Sequence, residues 1–193
     1  MKKILVIVGS GRKNGNTEQL ADAFILCAKE SGHFVRKINL AGKLVNGCTS
    51  CGMCRTEGQC IQNDDFNDIV PYIKTCDLLV FASPLMYYNV SSRMKAFIER
   101  FYSLSEPADD LPGGRREIYP VKDSALLMTA EEDEFWNFEQ AVSYYHMAIV
   151  QYMGFQDKGA VLAGGCGEMQ GQPDIKETEY LGKAYEFGKN LYV

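Results

Sequence analysis

Histidine is almost missing from this chain, and so is tryptophan: there are two of the first, His33 and His146, and one of the second, Trp136. His33 falls near the start of an expected strand and His146 inside an apolar helical pattern. Neither stands with a nucleophile and an acid as a hydrolytic constellation requires, so hydrolysis is not expected. No apolar run approaches the ~18 residues of a membrane helix, and a membrane span is excluded. The opening MKKILVIVGS is basic and then apolar, like a secretion signal, but its apolar part is too short and Gly and Arg follow at once. The expected location is therefore cytoplasmic. Lys and Arg form no long stretch and the formal net charge is -5, which removes the footprint expected of a nucleic-acid binder. Internal repeats and low-complexity segments are lacking too.

What is present suits one soluble domain, with 193 residues to bury a core. Five apolar stretches stand out: ILVIV from Ile4, FVRKINL from Phe34, DLLVFAS from Asp77, SALLMTA from Ser124 and GAVLAGG from Gly159. Helical patterns over 17–31, 65–76, 91–104, 134–153 and 176–191 alternate with them. Strands this rich in Val, Leu and Ile are covered on both faces, and right-handed crossovers then give a doubly wound sheet. The expectation is a three-layer α/β/α fold around a five-stranded parallel sheet in the flavodoxin-like order 2-1-3-4-5. Residues 1–193 form a single domain in this reading, with a Cys-rich insertion at about 41–63 and a second excursion at 105–121. Ligands of such sheets sit beyond the carboxyl ends of the strands, which directs attention to the loops there.

The first of those loops is GSGRKNGNTEQL, Gly9 to Leu20. A loop entering a helix N-terminus meets unpaired N–H groups and partial positive charge, and so suits an anion. Ser10, Asn14, Asn16 and Thr17 add neutral donors, and Arg12 and Lys13 add cations. A Walker loop is disfavoured because Gly15-Asn16-Thr17 stands where Gly-Lys-Ser/Thr is required. The dinucleotide fingerprint fails at its third glycine, where Asn14 stands. A single phosphate monoester fits better, and FMN is the common cofactor of that description; the plainer alternative is a turn rich in capping residues. Farther on, Pro84 and Asn89 are expected to shape a turn after the third strand, with YYN as poor strand material and a helix starting at Ser91-Ser92. The acidic run EEDEFW after the fourth strand leaves Trp136 either packed locally or covering the site.

Seven cysteines are present, and four of them, Cys48, Cys51, Cys54 and Cys60, follow C-x2-C-x2-C-x5-C. That spacing gathers three thiolates on one tight coil with a fourth to close the set, as a 4Fe-4S cluster requires. Structural zinc separates its two C-x2-C pairs more widely. Cluster, zinc and free or redox-active thiols all stay open. Cys27 and Cys76 read as small core residues, Cys166 in AGGCGE is undecided, and Asn63 or Asp64 in NDDF caps the next helix.

GSGRKNGNTEQL, CTSCGMCRTEGQCIQNDDF and SPLMYYNVSSRMKAFIER, in that order, resemble the NAD(P)H-dependent FMN reductase family of flavodoxin-like proteins, especially its iron-sulfur flavoprotein branch. The resemblance spans nearly the whole chain. It implies that Ser10, Arg12, Asn14, Asn16 and Thr17 hold the FMN phosphate with Lys13 assisting, and that Pro84, Leu85, Met86, Tyr87, Asn89 and Val90 border the flavin ring. Thr129 and Ala130 are the remaining ring contacts, where relatives carry a Thr-x-Gly-Gly-like loop; Gly11 replaces a proline common among relatives. The same likeness implies NADH or NADPH as hydride donor and a quinone, free flavin or protein as electron acceptor. It also implies a 4Fe-4S cluster on the four cysteines and a homodimer or homotetramer with the Cys loop and 105–121 at the contacts. Two other readings remain: a noncatalytic FMN-binding electron carrier, and a flavin-free module with structural zinc.

Overall fold

The computed structural model describes residues 1–104, 122–167 and 172–192, and the backbone of two short strands at 106–107 and 115–116. In chain order the elements are β1 (Lys3–Val8), α1 (Asn16–Glu30), β2 (Phe34–Asn39), the single turn α2 (Cys54–Glu57), α3 (Asp65–Thr75), β3 (Leu78–Met86), β4 (Asn89–Val90), α4 (Ser92–Glu99), β5 (Glu106–Pro107), β6 (Arg115–Arg116), β7 (Asp123–Thr129), α5 (Glu139–Tyr145), β8 (Gln156–Ala163) and α6 (Tyr180–Asn190). The excursion at 105–121 otherwise lies outside the described residues.

The sheet runs β2-β1-β3-β7-β8, all parallel, which counted by its long strands is the expected order 2-1-3-4-5. Side chains alternate between its faces, and here both faces are apolar. Leu5, Ile7, Leu79, Phe81, Leu126 and Met128 meet α3, α4 and α5 through Phe66, Ile69, Phe97 and Ala141. Ile4, Val6, Leu78, Val80, Ala125 and Leu127 meet α1 and α6 through Leu20, Phe24 and Ala184. The doubly wound arrangement follows from that alternation: one set of crossovers must cover each face. Helices α1 and α6 approach so closely that a Cβ on Gly188 would lie 2.8 Å from the Phe24 carbonyl oxygen.

Three expected helices are broken in the structure. The segment 91–104 is α4 followed by a 3-10 stretch at Arg100–Leu104, and 134–153 is a 3-10 turn at Phe135–Phe138, then α5, then a π-helical stretch at His146–Tyr152. In the last helical segment Thr178 takes the chain out of a 3-10 turn: its hydroxyl donates to the Ile175 carbonyl at 2.7 Å and accepts from the Tyr180 N–H at 3.3 Å. Such local side-chain bonds compete with continuous helix, and α6 starts only at Tyr180.

The Cys-rich loop between β2 and α3 has one helical turn, and neighbouring acids hold the rest. Asp65 accepts from the Leu44 N–H at 2.7 Å, and Asp64 from the Asn46 N–H at 3.0 Å. Asp64 also caps α3 as expected, accepting from the Phe66 N–H at 3.2 Å.

Candidate functional site

At the carboxyl edge of the sheet the chain leaves β1 at Val8 and the Gly9 N–H donates to the Ala82 carbonyl at 2.7 Å. The Ser91 hydroxyl, which caps α4, donates to the Gly9 carbonyl at 2.7 Å. A Cβ on Gly9 would come within 2.9 Å of both Met94 Cβ and Ser91 Oγ, so only glycine lets the first and third loops lie this close. The loop then closes onto α1 through Gly15, an extended N-cap at φ -73° and ψ 172° that supplies no side-chain cap bond. The N–H groups of the first helical turn are therefore left without a capping side chain at the mouth of a cavity.

That cavity measures about 1140 Å³ and is open to solvent. Of the residues singled out from the sequence, Ser10, Arg12, Asn16, Thr17, Pro84, Leu85, Met86, Tyr87, Asn89, Val90, Thr129 and Ala130 all line it. Lys13 and Asn14 are not among its lining residues. Asn14 sits at φ 57° with its N–H on Glu18 Oε2 at 2.7 Å, so it turns the loop rather than facing the cavity. Burial works against ionisation of Glu18, but Lys37 Nζ at 2.9 Å and the Asn14 N–H more than offset it and hold the carboxyl below its ordinary range.

Several lining side chains also bond to each other. The Thr17 and Thr129 hydroxyls share a 2.7 Å hydrogen bond, tying the first loop to the end of β7. Asn16 Nδ2 donates to the Cys166 carbonyl at 3.2 Å, tying it to the loop after β8. Ser10 Oγ accepts from the Arg12 N–H at 3.1 Å and shapes the turn from within. Sequence reasoning missed Tyr88, Arg93, Asn137 and Cys166, which line the same cavity. Tyr88 and Arg93 stood inside a quoted motif, whereas Asn137 and Cys166 carry no local signal and arrive only through strand order. Cys166 is buried, and that burial pushes its thiol up to about 11.

The third loop differs from the expected turn. Strand β3 continues to Met86 and pairs antiparallel with β4, Leu85 opposite Val90 and Met86 opposite Asn89. The turn is thus centred on Tyr87 and Tyr88, not shaped by Pro84 and Asn89, and YYN belongs to a hairpin. Both tyrosines have positive φ, 48° and 59°, the pattern of a two-residue type I′ hairpin that normally selects Asn-Gly. Tyr87 is 98% exposed. Tyr88 stacks on Trp136, with ring centroids 5.7 Å apart and planes at 24°. Trp136, in the loop after β7, is thus one ring removed from the cavity that Tyr88 lines.

A second cavity of about 660 Å³ is ringed by all four motif cysteines together with Arg55, Glu99, Arg100 and Tyr102. Among the described residues no three His, Cys, Asp or Glu side chains form a closed metal-ligand group. The donors fit four-thiolate chemistry in number and softness, and they stand around one space. Cys48 and Cys51 are exposed, while Cys27, Cys76 and Cys166 are buried, with burial pushing Cys76 up to about 11. In folded protein stripped of metal, iodoacetamide is expected to modify Cys48 and Cys51 first and to reach Cys27, Cys76 and Cys166 only on unfolding. Peptide mass spectrometry checks this; early labelling of Cys166 would contradict its burial.

Residues 2–115 match the family described as NADPH-dependent FMN reductase. The chain is 31% identical over 183 residues to an iron-sulfur flavoprotein of Archaeoglobus fulgidus, covering 93% of this chain and 77% of that one. It is 35% identical to iron-sulfur flavoprotein MJ1083 of Methanocaldococcus jannaschii over 98 residues, about half of each chain (51% of both). Among solved structures it is similar to an NAD(P)H:quinone oxidoreductase from Methanothermobacter marburgensis, with a TM-score of 0.74, 16% identity and 98% of each chain covered. It is also similar to an FMN-dependent NADH-azoreductase from Bacillus anthracis in complex with FMN, with a TM-score of 0.69, 18% identity, 99% of this chain and 98% of that one. At such identities the two structures speak for the fold.

Proposed function

The chain belongs to the NADPH-dependent FMN reductase family, and from that premise we propose that it is an oxidoreductase holding FMN in the cavity at the carboxyl edge of its sheet. The observation that carries this is the α1 N-terminus: Gly15 leaves its first-turn N–H groups without a side-chain cap, beside Ser10, Arg12 and Thr17. Helix charge and backbone donors there suit one phosphate. Arg12 adds the cation, Asn16 and Thr17 brace the loop against the ends of β7 and β8, and Lys13 and Asn14 stand outside this set. Leu85, Met86, Asn89 and Val90 supply one wall for a planar ring and Thr129 and Ala130 another, with Tyr88 at the edge backed by Trp136.

When bound, FMN supplies the acceptor for a hydride from NADH or NADPH and the donor for a quinone, free flavin or protein partner. The side chains bind, orient and shield, and none of them is required as nucleophile. In the same proposal Cys48, Cys51, Cys54 and Cys60 hold a 4Fe-4S centre, which supplies single-electron relay when bound. We further propose that residues 1–193 act as one domain with the Cys loop as an insertion, in the cytoplasm, as a homodimer or homotetramer. No helix among the described residues is long and apolar enough to cross a membrane.

Trp136 is the only tryptophan, and it stacks on Tyr88, which lines the cavity, so its fluorescence reads occupancy. Titration with FMN is expected to quench it saturably at micromolar concentration, and the loaded protein is expected to oxidise NADH or NADPH with a quinone present. Quenching without nucleotide oxidation would favour a noncatalytic electron carrier. The absence of both quenching and co-purified flavin would remove the assignment.

A further inference from the structure

The wall of the four-cysteine cavity contains a buried charge. Arg100 is 1% exposed. Its Nη1 donates to Asp64 Oδ2 at 2.6 Å and to the Asn46 carbonyl at 3.0 Å, and the guanidinium carbon lies 4.7 Å from the centroid of Phe66. Those contacts use one corner of the fork. Nε and Nη2 are buried with no hydrogen-bond partner among the described residues.

Of the ion pair, Arg100 lines the cavity and Asp64 does not. Burial opposes the charge on Arg100, while Asp64 and then Cys60 favour it, Cys60 lying close enough for charge attraction and a weak side-chain hydrogen bond although its sulfur does not complete the geometry at Nε or Nη2. The other charged groups around the cavity are engaged: Arg55 donates to the Tyr102 hydroxyl at 2.7 Å, and Glu99 accepts from the Cys48 N–H at 3.2 Å and pairs with Lys95 at 2.8 Å. Leaving part of a buried guanidinium unbonded is unfavourable unless a partner arrives with the occupant of the cavity. Four thiolates around iron-sulfur or a divalent ion make an occupant with net negative charge, and net charge and nearby donors set both its retention and its potential.

We infer that Arg100 is the counter-charge of the four-cysteine cavity: anchored from behind by Asp64, it presents a buried cation to a centre that the thiolates make anionic. This rests on the proposal that those cysteines hold such a centre. Arg100 is then a positioning residue that favours binding and eases reduction without ligating. Arg100→Lys keeps the charge. Arg100→Gln alone strands the Asp64 carboxylate, so the informative variant is Asp64→Asn/Arg100→Gln, since Asn serves equally well as the α3 cap.

Wild type and both variants are prepared anaerobically, titrated with Cd²⁺ by its thiolate charge-transfer absorption, and reconstituted with iron and sulfide for analysis and dye-mediated redox titration. FMN quenching of Trp136 is followed in each as a check that the fold is intact. The expected result is a Cd²⁺ affinity about tenfold or more weaker in the double variant, a more negative potential for its reconstituted centre, and recovery toward wild type in Arg100→Lys. Equal affinity and equal potential in all three proteins would overturn the inference. A wild type that takes up Cd²⁺ but no iron and sulfide removes the cluster while the Cd²⁺ comparison still decides the role of Arg100. A wild type that takes up neither removes both.

Discussion

Gly15→Asp is expected to leave the protein folded and to lower its affinity for FMN by about a hundredfold or more. Gly15 already has the extended backbone of an N-cap, and aspartate is at least as good a cap as glycine, so α1 gains a few tenths of a kcal/mol. The new Cβ meets Arg12 Cβ at 3.3 Å, a side chain that can give way. The carboxylate, however, occupies the first-turn N–H groups that the phosphate needs and sets like charges about 4 Å apart. At the effective dielectric of a protein surface that repulsion is about 4 kcal/mol. Gly15→Asn separates the two effects, because it caps the helix without charge and is expected to weaken binding less. Raising the salt should narrow the gap between the two variants through screening. Thermal melts and Trp136 titrations provide the measurements. Unchanged FMN affinity in Gly15→Asp would show that the phosphate does not sit at this helix end.

The features that sequence made legible are those encoded by local pattern. The five apolar runs became the five long parallel strands, the central ones because a run with no polar alternation has to be covered on both faces, and Ser10, Arg12, Asn16 and Thr17 fell on the cavity because strand and helix starts bracket the first loop tightly. Helix ends were less legible. The chain passes from α4 into a 3-10 stretch at Arg100–Leu104, and Thr178 delays α6 through side-chain bonds that periodicity does not reveal. Asn137 and Cys166 reach the cavity only because β7 and β8 lie side by side, which no short window contains. The tyrosine hairpin was missed for the opposite reason: two aromatic residues argue against a type I′ turn, and local preference gave the wrong answer where strain is tolerated. Lys13 and Asn14 looked equivalent to their neighbours in the motif, but neither lines the cavity, and Asn14 stands at a positive-φ turn.

That hairpin yields the second large effect. An L-residue in the left-handed region costs roughly 1–2 kcal/mol, and Tyr87 and Tyr88 both lie there. Tyr87 is almost fully exposed and buries nothing in return, and the Tyr88–Trp136 stack returns about 0.5–1.5 kcal/mol. Strain of this size persists where a site needs the side chains, and this turn overhangs the cavity. Tyr87→Asn/Tyr88→Gly installs the residues a type I′ turn prefers, so it is expected to raise stability by about 1–2 kcal/mol, seen as a Tm higher by about 2–8 °C for a chain of this size. Loss of two rings beside the proposed flavin site is expected at the same time to lower kcat/KM for acceptor reduction about tenfold. Tyr88→Phe keeps the stack and should retain most activity without the gain in stability. A more stable double variant with full activity would leave the tyrosines without a role in the site. One that is no more stable than wild type would mean that the positive φ values carry no strain.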